Sequence, residues 1–562
     1  MKLFRNTIIG LATGALILFS SCTDLSETVY SELSDESIDE NDPASVEAFM
    51  GKAFAQMRAV YWGWNGYFDL MEECTDVYLT PTRLGVGWGN MFIPMHKHTW
   101  NNETEHINNF WNASYRGVMY ANKCLDVFPE TGYNQAQVRF IRALYYTNLF
   151  DAFRNVPLET TQVIEPGYLP VQKPGQEIYD FCVAELIAIK DDLGTDKLFG
   201  YANRYAACML LAKLYLNHNA YFRTSGNEYF EKALTEVNEI INNGGYKLAP
   251  NYLDNSRQNI SSSPEVIFAL PLDPVSANVN YLSNKVLVGA GAPAFGLTST
   301  PWNGSAGVPQ FIDTYDSDDK RFGWTWTGGV QRYATVVGGV TIPNSGDPIP
   351  FTADDWTGTG FLTYNQQLHS IDNPGAYQQE GYRFIKSEIV AGSFGTYGND
   401  VCYYRLADAM FIKAECLLRL GRDEQTAADL ITEVRMRSFD SPEKARRTVA
   451  DLKGGSVYDY GHREYTCEGA SNWDPASFVA TYEGGADIEL GGLLDDLAWE
   501  FVGEHHRRQD LIRFKIADGR NVFNGKSWFC KDASNEAYRD YFPISRRALE
   551  ANISLVQNEG YQ

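Results

Sequence analysis

Residues 404–437, YRLADAMFIKAECLLRLGRDEQTAADLITEVRMR, set the tightest limit on what this chain can fold into. Ala407, Met410, Phe411, Ala414, Leu417 and Leu418 recur at the i, i+3, i+4, i+7 spacing of a helix buried along one stripe, with Lys413, Glu415 and Arg419 on the other side. Gly421 fits the left-handed position that ends a helix, and Asp423 can cap the next one. Ala427, Leu430, Ile431 and Val434 then repeat the spacing, so the stretch reads as an antiparallel helical hairpin.

The same unit occurs earlier. Ala207, Leu210, Leu211 and Leu214 stand where Ala407, Met410, Phe411 and Ala414 stand later, and Phe230, Ala233, Leu234 and Val237 match Ala427, Leu430, Ile431 and Val434. A repeat of about 34 residues has the size of a tetratricopeptide unit. The expected fold is mainly α, a tetratricopeptide-like hairpin scaffold with long irregular loops and a few short strands.

The remaining chain alternates between these two characters. Residues 42–57 read as a first helix carried by Val46, Phe49 and Phe54, and further helices are expected at 107–128, 136–153, 176–193 and 493–514. Between them, 60–100 is rich in Trp, Tyr, Gly and Asn without a sustained period and reads as a displayed loop. Residues 263–270 read as a strand, 278–398 as a second irregular region, and 453–490 as an irregular insert with Tyr458, Tyr460, Tyr465 and Trp473. No low-complexity linker divides the body, so 43–562 is expected to be one unit, with 43–262 helical, 263–400 irregular and 401–562 closing the scaffold.

The N-terminus carries an address. Lys2 and Arg5 precede the apolar run 8–19, and Ser20 and Ser21 precede Cys22, the pattern of an export signal over 1–21. Small residues followed at once by Cys resemble the lipobox of bacterial lipoproteins, which implies acylation of Cys22. The acidic, polar stretch 22–42 then reads as a tether. A net charge of −24 and the lack of a basic stripe exclude a phosphate-tracking surface, so nucleic acid is not an expected partner. Cys124, Cys182, Cys208 and Cys416 sit in apolar helical stretches and read as buried small side chains; no CxxC pair occurs.

Several segments together resemble the SusD/RagB family of outer-membrane nutrient-binding lipoproteins. They are 136–158, AQVRFIRALYYTNLFDAFRNVPL, with Arg154 and Asn155 in place of the family's Gly-Asp, and 405–421, RLADAMFIKAECLLRLG, with Glu415 in the family's Glu position. In 500–513, EFVGEHHRRQDLIR, Glu500, Glu504, His506, Arg507, Asp510 and Arg513 match and His505 replaces a Gly; the ending carried by Pro543, Ile544, Asn552, Leu555, Gln557, Asn558, Gly560 and Tyr561 is similar too. The resemblance implies a scaffold of tetratricopeptide-like hairpins whose irregular loops bear an oligosaccharide site. It also implies a lipid anchor at the cell surface of a Gram-negative, Bacteroidetes-type outer membrane, and a SusC-like TonB-dependent barrel over which the protein acts as a lid.

A sugar presents hydroxyl edges and apolar C–H faces, so its site needs flat rings beside planar polar groups. Aromatics make up 14% of the chain, more than a core needs, so some are expected at a surface. The first loop offers Trp62, Trp64, Tyr67 and Trp88 with Asp76, Arg83 and Asn90, and the second offers Trp302, Trp324, Trp326 and Arg383. Trp88 is the leading candidate, because Gly85, Gly87 and Gly89 flank it and would leave its face open.

Other chemistries fit less well. Glu500 and Glu504, with Arg507 and Arg508 a turn further, suit a salt-bridge lattice better than the paired carboxylates of a glycoside hydrolase, so no catalytic residue is expected. His96, His98 and His106 lack acidic ligands at metal spacing, so no metal site and no cofactor is expected. Asp313, Asp316, Asp318 and Asp319 lack an EF-hand's Gly and Glu but leave room for a calcium ion. The alternatives are a secreted glycoside hydrolase and a helical-repeat lipoprotein that binds peptide or protein.

Overall fold

A computed structural model describes residues 43–562 except 63–64, 87, 89–90, 129–131, 163–164, 278, 353–357, 373–374 and 466–476. The chain divides into a leading unit, Met1–Val46, and a body, Glu47–Gln562. The signal, Cys22 and the tether lie outside the described residues. The helices that matter below are α1 (Pro43–Trp62), α2 (Tyr67–Glu72), α3 (Glu105–Val127), α4 (Tyr133–Phe153), α5 (Gly175–Ile189), α6 (Arg204–Phe222), α7 (Glu228–Asn243), α8 (Leu282–Val286), α9 (Leu406–Leu420), α10 (Glu424–Arg435), α11 (Gly491–Phe501) and α12 (Arg507–Arg513). Six of the short strands are β1 (Tyr78–Leu79), β2 (Val266–Leu270), β3 (Ala306–Gly307), β4 (Trp326–Thr327), β5 (Arg383–Phe384) and β6 (Val401–Arg405). Among the described residues no helix is long and apolar enough to cross a membrane.

From α3 to α7 each helix packs on the next, and α7 then packs on α9, which pairs with α10. The two hairpins that repeat in the sequence are thus neighbours, although residues 244–405 lie between them in the chain. The repeated positions explain the contact: Ala207, Leu210, Leu211 and Leu214, like Ala407, Met410, Phe411 and Ala414, are all buried. α4 is buried on nearly every face, and its buried charges are paired. Arg142 reaches Asn122 Oδ1 at 3.0 Å and Glu185 Oε2 at 2.9 Å, and Asp151 accepts from Arg508 at 2.7 Å.

The insertion is closed at its base by a strand pair. The expected strand at 263–270 forms as β2 and pairs antiparallel with β6, Leu270 opposite Val401 and Val266 opposite Arg405, with the register shifting at Tyr404. This pairing delivers the chain back to α9 beside α7. Gly421 ends α9 at φ +65°, as its position requires. Asp423 departs from expectation: its own φ is +49° and its side chain makes no cap.

Two longer readings are corrected by the structure. The displayed loop at 60–100 is mostly buried and contains α2, β1 and a turn of helix at Ile93–His96, because β1 pairs with β3 of the insertion. The single helix at 493–514 is broken into α11 and α12, with Gly503 at φ +75° and His505 at φ +56° turning the chain between them. All seven described cysteines are free and buried.

Candidate functional site

The site is organised around residues 302–305. Trp302 N–H donates to Asn284 O at 2.6 Å, Gly304 N–H to Lys285 O at 2.6 Å and Asn303 N–H to Leu287 O at 2.7 Å, which lays the segment along α8. α8 is fixed from below by the Lys285 ammonium, which sits between Asp69 Oδ1 at 2.5 Å and Glu73 Oε1 at 2.6 Å, all buried. On this support the Trp302 indole remains 39% exposed. It lies 6.2 Å from the Tyr281 ring at an interplanar angle of 33° and 6.5 Å from the Trp88 ring.

Trp88 has a different role from the one its flanking glycines suggest. It is 8% exposed, and its Nε1–H donates to Trp302 O at 2.9 Å and Asn303 O at 3.0 Å. It is a wedge beneath Trp302, and it fits because residue 304 is glycine: a Cβ there would lie 2.8 Å from the Trp88 ring and 2.6 Å from Lys285 O. Gly304→Ala is therefore expected to displace the Trp88–Trp302 pair. The apparent melting temperature should fall, at a cost of about 1–3 kcal/mol, and thermal unfolding followed by tryptophan fluorescence would read both changes.

The two arginines proposed as ligand contacts are also internal. Arg83 Nε–H donates to Gly304 O at 3.0 Å and its Nη1 to Tyr377 O and Glu380 O at 2.8 and 2.7 Å. Arg383 donates to Gly304 O, Ser305 O and Gln378 O at 3.3, 3.2 and 2.6 Å. Their bonds go to backbone carbonyls rather than to carboxylates. Burial therefore pushes the Arg383 guanidinium down to about 10 and that of Arg83 well below its usual range. They tie the loop after β1, the 302–305 segment and the approach to β5 into one frame.

Asp76 is fully buried and held by Arg507 Nε and Nη2, both at 2.7 Å, and by Tyr460 OH at 2.7 Å. Tyr67 packs on Phe110 at 5.4 Å, Trp62 on Phe68 at 5.0 Å and Trp326 on Phe384 at 5.5 Å, each at most 7% exposed. Ligand contact by Asp76, Arg83, Arg383, Tyr67, Trp62, Trp88 or Trp326 is therefore corrected to a structural role, because packing and internal bonds use their reachable surface. Trp324 is half-buried and stacks on Tyr252 at 6.0 Å and 19°. Trp64 and Asn90 lie outside the described residues.

One exposed ring went unnoticed in the sequence. Phe394 is 75% exposed, on a loop joined to the Trp302 segment through Asn284, whose amide donates to Gly395 O and whose Oδ1 accepts from Ser299 OH at 3.0 Å. Gly392 and Gly395, at φ +81° and +75°, flank Phe394 much as glycines flank Trp88, so the same reasoning would have found it.

Glu500 is buried and Glu504 half-buried in an ion cluster, and they do not pair with Arg507 and Arg508, as their helical spacing suggested. Arg507 binds Asp76 and Arg508 binds Asp151. His96, His98 and His106 are buried too, and no group of three or more His, Cys, Asp or Glu among the described residues could hold a metal ion. In the acidic run, Asp319 pairs with Arg321, and Asp318 lies 3.0 Å and Asp316 3.8 Å from Lys444.

Comparison with known proteins places these features. Residues 303–561 match the SusD family. The starch-binding protein SusD of Bacteroides thetaiotaomicron is 25% identical over 472 residues, covering 77% of this chain and 74% of its own. A SusD superfamily crystal structure from Parabacteroides distasonis shares the fold with a TM-score of 0.68 at 19% identity, covering 94% of this chain and 100% of that one. Surface glycan-binding protein A of Bacteroides thetaiotaomicron, in complex with laminarihexaose, superposes with a TM-score of 0.65 at 17% identity, covering 92% of this chain and 99% of that one.

Proposed function

We propose, proceeding from the chain's similarity to the SusD family, that it is a cell-surface glycan-binding lipoprotein that captures oligosaccharide on the face bearing Trp302 and passes it to a SusC-like TonB-dependent barrel. The observation that carries this reading is the Trp302 indole, partly exposed on a segment that three backbone hydrogen bonds fix to α8 and the residue that follows it. A ring held in place before the ligand arrives offers a stacking surface at little ordering cost. Phe394 is the further ring offered to a longer chain, and starch and laminarihexaose, named for two of the similar proteins, are the reference glycans.

The mechanism in this reading is capture and lid closure without bond cleavage. Cys22, acylated, would keep the lid near its barrel through the 22–42 tether and so raise its effective concentration there. Trp302→Ala is expected to cost about 2 kcal/mol of binding, roughly 30-fold in affinity, in titrations of the soluble chain against a panel of α- and β-glucans and host glycans. Unchanged affinity for the best glycan would sink the assignment of the site. Release of new reducing ends during incubation would sink the assignment of binding without cleavage.

A further inference from the structure

The C-terminal end of α6 and residues 515–540 enclose a polar cleft of about 510 Å³ that the Trp302 site does not use. We infer that this cleft is a second ligand site, which takes a carboxylate-bearing sugar unit, a hexuronate, independently of Trp302. Its volume lies within the range of small-molecule sites, about 300–1,000 Å³.

The charge balance of the cleft selects an anion. Of the cations lining it, Arg520 is spent on Asp518, Nε to Oδ2 at 2.8 Å and Nη2 to Oδ2 at 2.7 Å. Asp540 Oδ1 accepts from the amides of Asn521 and Asn524, both at 2.7 Å, and its Oδ2 is 3.9 Å from Arg223 Nη2. The Lys515 ammonium is left without a hydrogen bond or ion pair among the described residues, while its side chain is only half exposed to water. Burial lowers its proton affinity; Asp540 nearby opposes that shift, and the cations Arg419 and Arg223 add to it. An anionic ligand would compensate this charge, and in a chain of net charge −24 such a cleft is an exception that needs a reason.

Arg223 supplies the second cation. It holds φ +51° at the end of α6, and its Nη2 donates to Ala537 O at 2.8 Å, which leaves other guanidinium N–H groups for a carboxylate. The dipole of α6 favours a cation at Arg223, but Lys515 belongs to a different segment and the dipole gives it no reason to be there. Asn219, Thr224, Ser534 and Asn535 line the remaining walls with amides and hydroxyls suited to ring hydroxyls. None of the cleft's lining residues is aromatic, so the site lacks the stacking platform that a neutral glucan would use.

The test is calorimetric titration of the mature chain with glucuronate, galacturonate, glucose and sodium sulfate, repeated on Lys515→Gln, Arg223→Gln and Trp302→Ala. The expected result is binding of the uronates and not of glucose, weakened at least about tenfold in each of the two charge variants and kept in Trp302→Ala. Equal binding of glucose, or undiminished uronate binding by Lys515→Gln, overturns the proposal. Sulfate binding as tight as that of glucuronate overturns its sugar component and leaves an adventitious ion only. Acetylation of Lys515 in the unaltered chain, read by mass spectrometry, needs no variant: glucuronate should slow it several-fold, and an unchanged rate overturns the site. Because Trp302→Ala separates the two sites, failure here is distinguishable from failure of the proposed function.

Discussion

Arg405→Met is expected to cost about 3–5 kcal/mol of stability, the largest loss from a single substitution argued for this protein. Arg405 stands where β6 passes into α9 and bonds to three carboxylates at once. Its Nη1 reaches Glu265 Oε1 at 2.9 Å and Glu500 Oε1 at 2.8 Å, while Nη2 and Nε hold Glu504 at 2.9 and 2.8 Å. Arg437, Arg321 and Lys386 complete the cluster on the same carboxylates, and Asp319 balances Arg321. All of these side chains are buried or nearly so, and four cations meet four carboxylates.

Replacing the pairs by apolar groups need not destabilise such a cluster, but removing one partner leaves a buried charge uncompensated. In Arg405→Met the orphans are Glu504, left with Lys386, and Glu500, left with Arg437 and Arg321. The double variant Arg405→Met/Glu504→Gln should therefore lose less than the sum of its singles, because one orphaned charge disappears with its partner. Apparent melting temperature and the onset of limited proteolysis would follow both comparisons. Strict additivity would mean that lost packing over the Phe501 ring, 4.5 Å from the Arg405 guanidinium, accounts for the effect instead.

This cluster also shows what could not be read in the sequence. The hairpins were legible because each helix writes its buried stripe into local spacing, and Ala207 to Leu214 and Ala407 to Ala414 carry that spacing whatever lies opposite. The cluster joins 265, 321, 386, 405, 437 and 500–504, and no local period records such a meeting. The same limit governs the site. Trp88 with its glycines has the look of a displayed ring, but its exposure is decided by Gly304 and the carbonyls of Trp302 and Asn303, more than 200 residues away. Arg83 and Arg383 had the right chemistry for a sugar, and the chain uses it on its own backbone. Trp302 keeps its ring at the surface because its neighbours in space, Asn284 and Lys285, hold it by the backbone.

Acidification is expected to unfold the protein steeply between about pH 4.5 and pH 2. Burial alone would raise the Glu265 carboxyl, but Arg437 and Arg405 outweigh it and hold the group at about 2; in Glu415 burial is likewise outweighed, by Arg513 and Arg419, again to about 2. Glu500, desolvated but faced by Arg437, Arg405 and Arg321, is held lower still. A carboxyl lowered in the folded state contributes stability that is present above its unfolded value and is lost as pH falls through the folded one. A drop from 4.5 to about 2 is worth on the order of 3 kcal/mol for each of Glu265 and Glu415.

Above that window the contributions oppose one another. Burial lowers His96 and His106 to about 4, so their share of stability falls as pH drops from 6.5 towards 4. Burial raises Glu72 and Asp495 to about 7, so theirs grows over nearly the same range. Melting temperature should therefore collapse below pH 4.5, where the raised carboxyls already carry their protons in both states. Glu415→Gln should lower stability at pH 7, and its deficit should shrink as pH approaches 2, because the wild-type advantage is the charge that acid removes. A deficit that stayed constant across the acid limb would mean that Glu415 stabilises by shape and hydrogen bonding, and that its ion pairs with Arg513 and Arg419 contribute little.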